Sequence, residues 1–320
     1  MAHPPRPLNP KQPPVPPLLA IAFALLAVST ASIFIRYAQQ DATSLVIAAG
    51  RLTVASLVLV PYAWLRHRPE LAALTRRQWL LALLSGAFLA VHFATWISSL
   101  EYTTVASSAV LVSTTPLWVA LLTPLVLKEK VRPAVLVGMA VALAGGTIIA
   151  LSDSCAWTAG GLACPDLDTF MQGDAFLGNG LALAGALAAT GYFLIGRRLR
   201  EKMSLVSYVS LVYSMAAVIL IAWMLAAGQQ PWGLPPRAYL WIALLGLVPQ
   251  LIGHSTFNWA LGYLSAAFVS ITLLGEPIGS TILALILLEE VPSVLKIAGG
   301  LLILAGIYLA ARSPGSTPTD

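Results

Sequence analysis

Charge is what this chain has least of. Only 10% of its 320 residues are Asp, Glu, Lys or Arg, against roughly 25% in an ordinary soluble domain. Cysteine is nearly absent, with two residues, and there are four histidines. That excludes a disulfide-built scaffold and leaves too few ligands at workable spacing for a zinc centre, so no metal is expected. No GxxxxGK[ST] loop or HExxH pair occurs, which argues against a nucleotide-driven machine and a zinc hydrolase. The strict polar–apolar alternation of strands is missing too, which counts against an outer-membrane barrel.

What fills the chain is apolar surface: 58% hydrophobic residues and a mean hydropathy of +0.83. No soluble core hides that much, so the solvent is lipid. A bilayer crossing needs about 20 apolar residues. Ten segments of that kind are predicted, near residues 17–38, 44–65, 78–99, 104–127, 133–151, 175–196, 204–227, 238–260, 265–288 and 293–311. Arg6 and Lys11 ahead of the first run, with "STAS" after it, imitate a secretory leader. The length of the run and the repeat described next argue for a membrane helix. The Pro-rich stretch before it is expected to be disordered.

Lys and Arg gather on cytoplasmic loops. With the N-terminus inside, the inner segments hold Arg6, Lys11, Arg66, Arg68, Arg76, Arg77, Lys128, Lys130, Arg132, Arg197, Arg198, Arg200, Lys202 and Arg312, which is 14 of the 18. The outer ends hold Arg36, Arg237 and Lys296, and Arg51 stands inside a segment. Both termini are therefore expected inside. The net charge of +5 is a topology signal, suited to anionic lipid, and implies no nucleic-acid partner. The same orientation puts Cys155 and Cys164 in an outer loop, where a disulfide would persist; two free thiols are the alternative.

Residues 102–150 overlay on 263–311 with a constant shift of 161. Tyr102 falls on Tyr263, Pro116 on Pro277, Glu129 on Glu290, Gly138 on Gly299 and Gly145 on Gly306. Each unit then contains five segments. An odd number makes the second unit enter from the opposite side, so the repeats are inverted. Inverted repeats are characteristic of secondary transporters, which hold substrate near the midplane between the two units.

"GRRLR" at 196–200, "GHSTFNWAL" at 253–261 and "LLGEPIGSTILALILLEEVPSVLKIAGGLLILAGIYL" at 273–309, with "VALLTPLVLKEK" at 119–130, together resemble the drug/metabolite transporter superfamily in its ten-helix branch with two EamA domains. The resemblance implies an all-α membrane protein of ten transmembrane helices in two inverted five-helix repeats. Its parts would be a cytoplasmic tail (1–16), a first repeat (17–151), an extracytoplasmic loop (152–173), a second repeat (174–311) and a cytoplasmic tail (312–320). It further implies a central cavity lined mainly by helices 3, 4, 8 and 9, with helices 5 and 10 peripheral. The expected location is the inner (plasma) membrane.

Polar groups at membrane depth mark functional sites by default. Gln250, His254 and Asn258 recur every four residues on the eighth segment, and His92, Trp96 and Ser99 stripe the third. Thr272, Glu276 and Ser280 do so on the ninth, and Ser113, Thr114, Thr115 and Trp118 surround Pro116 on the fourth. His92, Trp96, Thr114, Trp118, Gln250, His254, Asn258, Thr272 and Glu276 are candidate cavity residues; the alternatives are hydrogen-bonded glue between helices for His254 and Asn258, lipid- or core-facing aromatics for Trp96 and Trp118, and a neutral acid that stiffens the kink for Glu276. Glu276, directly before Pro277, is the first candidate for ion coupling, and His254 the second. Pro116 and Pro277 are candidate kinks, and Arg51 is assigned a gating or structural role ahead of direct anion binding. Glu129 and Glu290 read as loop-ordering acids, and Gly178, Gly185, Gly191, Gly299 and Gly306 as close-packing positions.

The expected function is a secondary transporter of a small metabolite, amino acid or drug-like compound, working by alternating access as an exporter. It needs no cofactor and is not an enzyme. A membrane-embedded acid–base enzyme or a non-transporting sensor are the alternatives. Small-molecule substrate and lipid are the expected partners, and a homodimer is left open. The loop orientation is directly testable. An impermeant thiol reagent added outside intact cells should label Cys155 and Cys164 only after reduction, and a non-reducing gel should show the faster-running oxidised form. Labelling from the cytoplasmic side alone would reverse the topology.

Overall fold

The computed structural model describes residues 15–127, 133–154, 156–158, 161–163, 167–200, 202–260, 272–273 and 275–311. It is helical nearly throughout. The first apolar segment is two helices, α1 (Pro17–Ser29) and α2 (Ala31–Ala38), followed by α3 (Ser44–Ala72) and α4 (Arg76–Tyr102). The fourth segment is also broken, into α5 (Val105–Val112) and α6 (Thr115–Leu127), and α7 (Pro133–Ser154) is the fifth. After a short hairpin, β1 (Ala156–Thr158) and β2 (Gly161–Ala163), come α8 (Leu167–Met171), α9 (Asp174–Arg200) and α10 (Leu205–Ala226). The eighth segment runs α11 (Pro236–Leu245), a π-helical stretch (Gly246–His254) and α12 (Ser255–Ala260); α13 (Gly275–Leu287) and α14 (Val294–Ala311) complete the chain.

Six helical runs among the described residues are long and apolar enough to cross a bilayer: Leu18–Ala38, Ser44–Ala72, Arg76–Tyr102, Asp174–Arg200, Leu205–Ala226 and Pro236–Ala260. The remaining apolar helices are shorter. The chain is thus a multi-pass membrane protein. Cys155 and Cys164, which flank the hairpin in sequence, lie outside the described residues, as do Glu129 and most of the stretch between α12 and α13.

The helices break or widen at three places, each for a local reason, one of them beside the expected kink at Pro116. At Thr30 the chain breaks between α1 and α2, and the Thr30 hydroxyl donates to Ala27 O at 2.7 Å. The neighbouring Ser29 carbonyl is taken by the Ser280 hydroxyl from α13 at 3.2 Å, so the freed group stays satisfied, as membrane depth requires. At Ser113–Thr114, one turn ahead of Pro116, the hydroxyls of Thr114 and Thr115 donate to Leu111 O and Val112 O. The eighth segment, read from sequence as one α-helix, contains a π stretch instead. Pro249 lies within it; its ring clashes with the preceding turn and it brings no N–H, and the wider π turn accommodates both. Pro277, expected in mid-helix, stands in the first turn of α13, where a missing N–H has no helical partner to lose.

Helix pairing follows a regular scheme. α4 packs along α9, and α1 packs along the π stretch and α12; α3 pairs with α10, and α7 with α14. In the last pair the glycines meet backbone to backbone. A Cβ on Gly145 would sit 2.5 Å from Gly299 O and 2.9 Å from Ile303, and one on Gly299 would sit 2.7 Å from Gly145 O. Gly306 is equally tight against Gly138 O and Ala142. The shift of 161 maps Gly138 to Gly299, Ala142 to Ile303 and Gly145 to Gly306, so it turns each of these contacts into another of the set. The residue numbers run in opposite directions along the two helices, which makes the pair antiparallel.

One end of the bundle is tied by polar contacts. Arg36 pairs with Glu290 at 2.7 Å and donates to Leu100 O at 2.6 Å. The other Glu290 oxygen accepts the Val105 amide at 2.9 Å. Ser44 bonds Glu101, Lys296 reaches Thr104, and Arg237 holds Asp41 through two bonds of 2.6 and 2.7 Å. The hydrogen bond from Arg237 keeps the Asp41 carboxyl below the usual carboxylate range. Glu290 therefore joins the starts and ends of several helices, beyond the loop-ordering part read from sequence.

The glycine contact predicts a clear contrast. Gly145→Val forces a branched side chain against Gly299 O, an overpacking cost of about 1–3 kcal/mol, and should lower the melting temperature in detergent. Gly180→Ala, where a Cβ meets nothing within 4 Å, should not. Equal melting of the two variants would contradict this packing.

Candidate functional site

The bundle interior is organised by Arg51, in the second turn of α3. It is fully buried. Its Nε donates to Gln250 Oε1 of the π stretch at 2.8 Å, and Gln250 is itself buried. The guanidinium lies over the Phe93 ring of α4, 4.2 Å from the centroid, and 5.8 Å from the Trp96 ring one turn on. A cation over an aromatic face is attracted by the ring quadrupole, more so where water is excluded. Its Nη1 and Nη2 have no hydrogen-bond partner among the described residues.

Other polar groups surround this charge. His92 donates to or accepts nothing from Arg51; its Nδ1 contacts Gly185 O of α9 at 2.9 Å, which makes that nitrogen the protonated one. The His92 ring stacks on Trp96 with centroids 5.8 Å apart. His254 meets Phe93 edge to face at 5.9 Å. Among the described residues Trp96 Nε1 and His254 Nε2 are buried without a partner, and the Tyr213 hydroxyl of α10 stands close to Gln250 and Ser255. Asn258 donates to the Tyr192 hydroxyl of α9 at 3.1 Å and to His254 O at 2.9 Å, and the Tyr192 ring stacks on Tyr208. Glu276, half-buried in the first turn of α13, lies within the electrostatic reach of Arg51 without closing an ion pair among the described residues. An acid in a first helical turn also has a structural use, because it faces the positive end of the helix dipole.

Some predicted site residues come together and others do not. His92, Trp96, Gln250, His254 and Asn258 form one connected interior cluster with Arg51. Thr114 and Trp118 bond to each other, Trp118 Nε1 of α6 donating to Thr114 Oγ1 in the break just ahead of it at 3.1 Å. Thr272 is half-buried just ahead of α13. Pro277 lines a separate groove of about 180 Å³ between α5, α7, α13 and α14, with Val110, Ile149, Ile282 and Ile297; this groove is apolar and distinct from the Arg51 cluster. The spacing of Gln250, His254 and Asn258 was read on α-helical geometry. The π turn changes the angles, yet all three still face inward or sideways into the bundle.

Residues 16–151 and 176–312 each match the EamA-like transporter family. The chain belongs to the EamA-like transporter family. This EamA-family chain is similar to a protein of Archaeoglobus fulgidus named "Uncharacterized transporter", 22% identical over 293 residues, covering 91% of this chain and 96% of that one. It also resembles "Uncharacterized transporter YdfC" of Bacillus subtilis, 23% identical over 200 residues, covering 62% and 60% of the two chains. A solved structure superposes with a TM-score of 0.62 at 19% identity, covering 92% of this chain and 96% of that one, which speaks for the fold alone. With the apolar helices, these likenesses make the EamA-family chain a membrane transporter.

The sequence reading passed over Phe93, Tyr192, Tyr208 and Tyr213, and with them the parts that α9 and α10 take in this interior. Aromatic residues read as lipid- or core-facing bulk in an apolar segment, and only a neighbouring helix turns a phenol into a polar partner. One signal was present: Gly196 of the EamA-family chain sits against the Tyr208 hydroxyl, and its place in "GRRLR" marks a close approach. A double-mutant cycle on Tyr192→Phe and Asn258→Ala should give a coupling of about 0.6 kcal/mol, and no more than ~1.7 kcal/mol, as for other interhelical bonds in membranes. Zero coupling in bicelle unfolding would mean that Asn258 does not hold α9 to α12.

Proposed function

We propose that this chain is a secondary transporter that carries a small metabolite, amino acid or drug-like compound across the inner membrane by alternating access, working as an exporter. The reading rests on one observation above the others: the α7–α14 contact maps onto itself under the repeat shift while the helices run antiparallel. That is the relation expected of two inverted five-helix units, ten crossings in all, with a tail at residues 1–16, units at 17–151 and 174–311, a loop at 152–173 and a second tail at 312–320. Two units of nearly equal packing have two nearly equivalent arrangements, open to one side or the other.

The polar interior supports a substrate site at the junction of these units. Arg51 and Trp96 come from the first, Gln250, His254, Asn258 and Glu276 from the second. His92, Thr114, Trp118 and Thr272 complete the proposed lining, with Pro116 and Pro277 as hinges beside it. The positive-inside bias places both termini in the cytoplasm. On that orientation the Arg36–Glu290 and Arg237–Asp41 contacts lie at the outer face and close it. Each of them must break for an outward opening. Lipid is the surrounding partner.

An ion gradient drives net flux in this reading, with Glu276 as the carrier: it is the carboxylate within reach of the interior cation. Glu276→Gln removes the exchangeable proton and keeps the shape. In proteoliposomes it should abolish uptake driven by a pH gradient while leaving substrate counterflow within about threefold of the parent, a difference small on the scale of a lost transition-state contact. Flux with an unchanged pH dependence would remove Glu276 from the coupling step. Purified, folded protein that moves nothing across a panel of amino acids, nucleosides and cationic drugs would remove the transporter mechanism itself.

A further inference from the structure

We propose that Arg51 is the seat of a substrate carboxylate, so that the transported class is an organic monoanion or a zwitterion presenting one carboxylate. The inference rests on the transporter reading for the word substrate, and on the interior geometry for the word carboxylate.

The atoms without partners around Arg51 are biased towards donation. Nη1 and Nη2 carry four N–H bonds between them, and both nitrogens are buried with nothing to donate to. Among the described residues Trp96 Nε1, a pure donor, is buried and unpaired as well. The Tyr213 hydroxyl of α10 stands within hydrogen-bonding reach of Gln250 and Ser255 and within Arg51's field. His254 Nε2, also unpaired there, takes either role. Leaving one buried donor unmet is costly, and a charged one more so. A fold that keeps several together, on α3 and α4, has a use for them as a set.

That set selects a ligand. The fork of a guanidinium matches a planar carboxylate with two parallel bonds. Nε is already fixed by Gln250 and one face is fixed by Phe93, so the Nη edge is held ready to bind. A cation meets the like charge of Arg51 here, beside the donors of its Nη edge and of Trp96. A neutral amide leaves the guanidinium without a counter-charge. A dianion such as phosphate brings a second negative charge towards Glu276, which already shares the field of this single arginine. The residues on the other helices that face the site, His92, His254, Tyr192 and Tyr213, add no second permanent positive charge.

The experiment is equilibrium binding to the purified full chain in lipid nanodiscs, followed by calorimetry and thermal shift. The probes are aliphatic and aromatic monocarboxylates, amino acids among them, each paired with its amide, plus inorganic phosphate. At least one acid should bind, with its amide weaker by about tenfold or more, the scale of a lost charge-assisted pair. Arg51→Lys keeps the charge and loses the fork, and should weaken the acid by a similar factor while leaving amide binding alone. Trp96→Phe keeps the ring and loses the donor, serves if the lysine variant folds poorly, and should weaken the acid severalfold. Amides binding as well as acids, phosphate binding better than every monocarboxylate, no acid binding at all, or both variants binding like the parent would each overturn the assignment. Counterflow separates this from the transporter reading. An acid that binds but is not exchanged keeps the site and removes transport. Neutral or cationic compounds exchanged equally by parent and Arg51→Lys keep transport and remove the carboxylate site.

Discussion

A permanent positive charge buried at membrane depth is the constraint around which this bundle is arranged. Among the described residues no carboxylate is bonded to Arg51, so its burial has to be offset by weaker means: one amide oxygen from Gln250, two aromatic faces from Phe93 and Trp96, and the field of Glu276. These come from three other elements of the bundle, the π stretch, α4 and α13. To hold them together, α3, α4, the π stretch and α13 must converge. Gly246 against Arg51 O and the π turn at Pro249 are the local means by which the eighth segment comes close enough. The remaining donor atoms define where a ligand would complete the arrangement.

A second constraint works on the outside of the bundle. Lipid tails give helices no hydrophobic reason to associate, so association depends on close packing and interhelical bonds. The α7–α14 pair meets this with glycines from both repeats. Because the same residues appear on both sides, the contact is self-complementary under exchange, and it fixes an antiparallel relation between the two halves. A rigid, symmetric contact at the periphery and a polar, incompletely bonded centre are complementary features. The first ties α7 to α14, and on the proposed mechanism the second would let a small ligand set the balance between states.

Much of this was legible in the sequence, and the parts that were not have a common cause. Apolar run length marked the membrane-spanning helices, and Gly299 and Gly306, read as close-packing positions, do meet the backbone of α7. Gln250, His254 and His92 stood out because such side chains are rare in lipid. What composition concealed was helix geometry and partnership. Thr30 and Pro249 break or widen helices that hydropathy reads as continuous, because both residues are as acceptable in an apolar run as in a turn. Tyr192 and Tyr213 were hidden because a phenol counts as an apolar residue until another helix places a polar group beside it. Arg51 was visible as the one basic residue inside a segment, but its partners Gln250, Phe93 and Trp96 were not, because they come from other helices.

The central claim is that the Arg51 cluster is a site reached in turn from each side of the membrane. It is tested most directly with a single thiol placed beside it, His254→Cys on a background in which Cys155→Ser and Cys164→Ser remove the native cysteines. His254 is suited because its ring meets Phe93 and its Nε2 has no partner among the described residues. An impermeant thiol reagent should label this position from either face of oriented vesicles. Raising the concentration of a bound ligand on one side should shift labelling towards one face at the expense of the other. A thiol that reacts from neither face under any ligand gradient would show a sealed structural core and contradict the account.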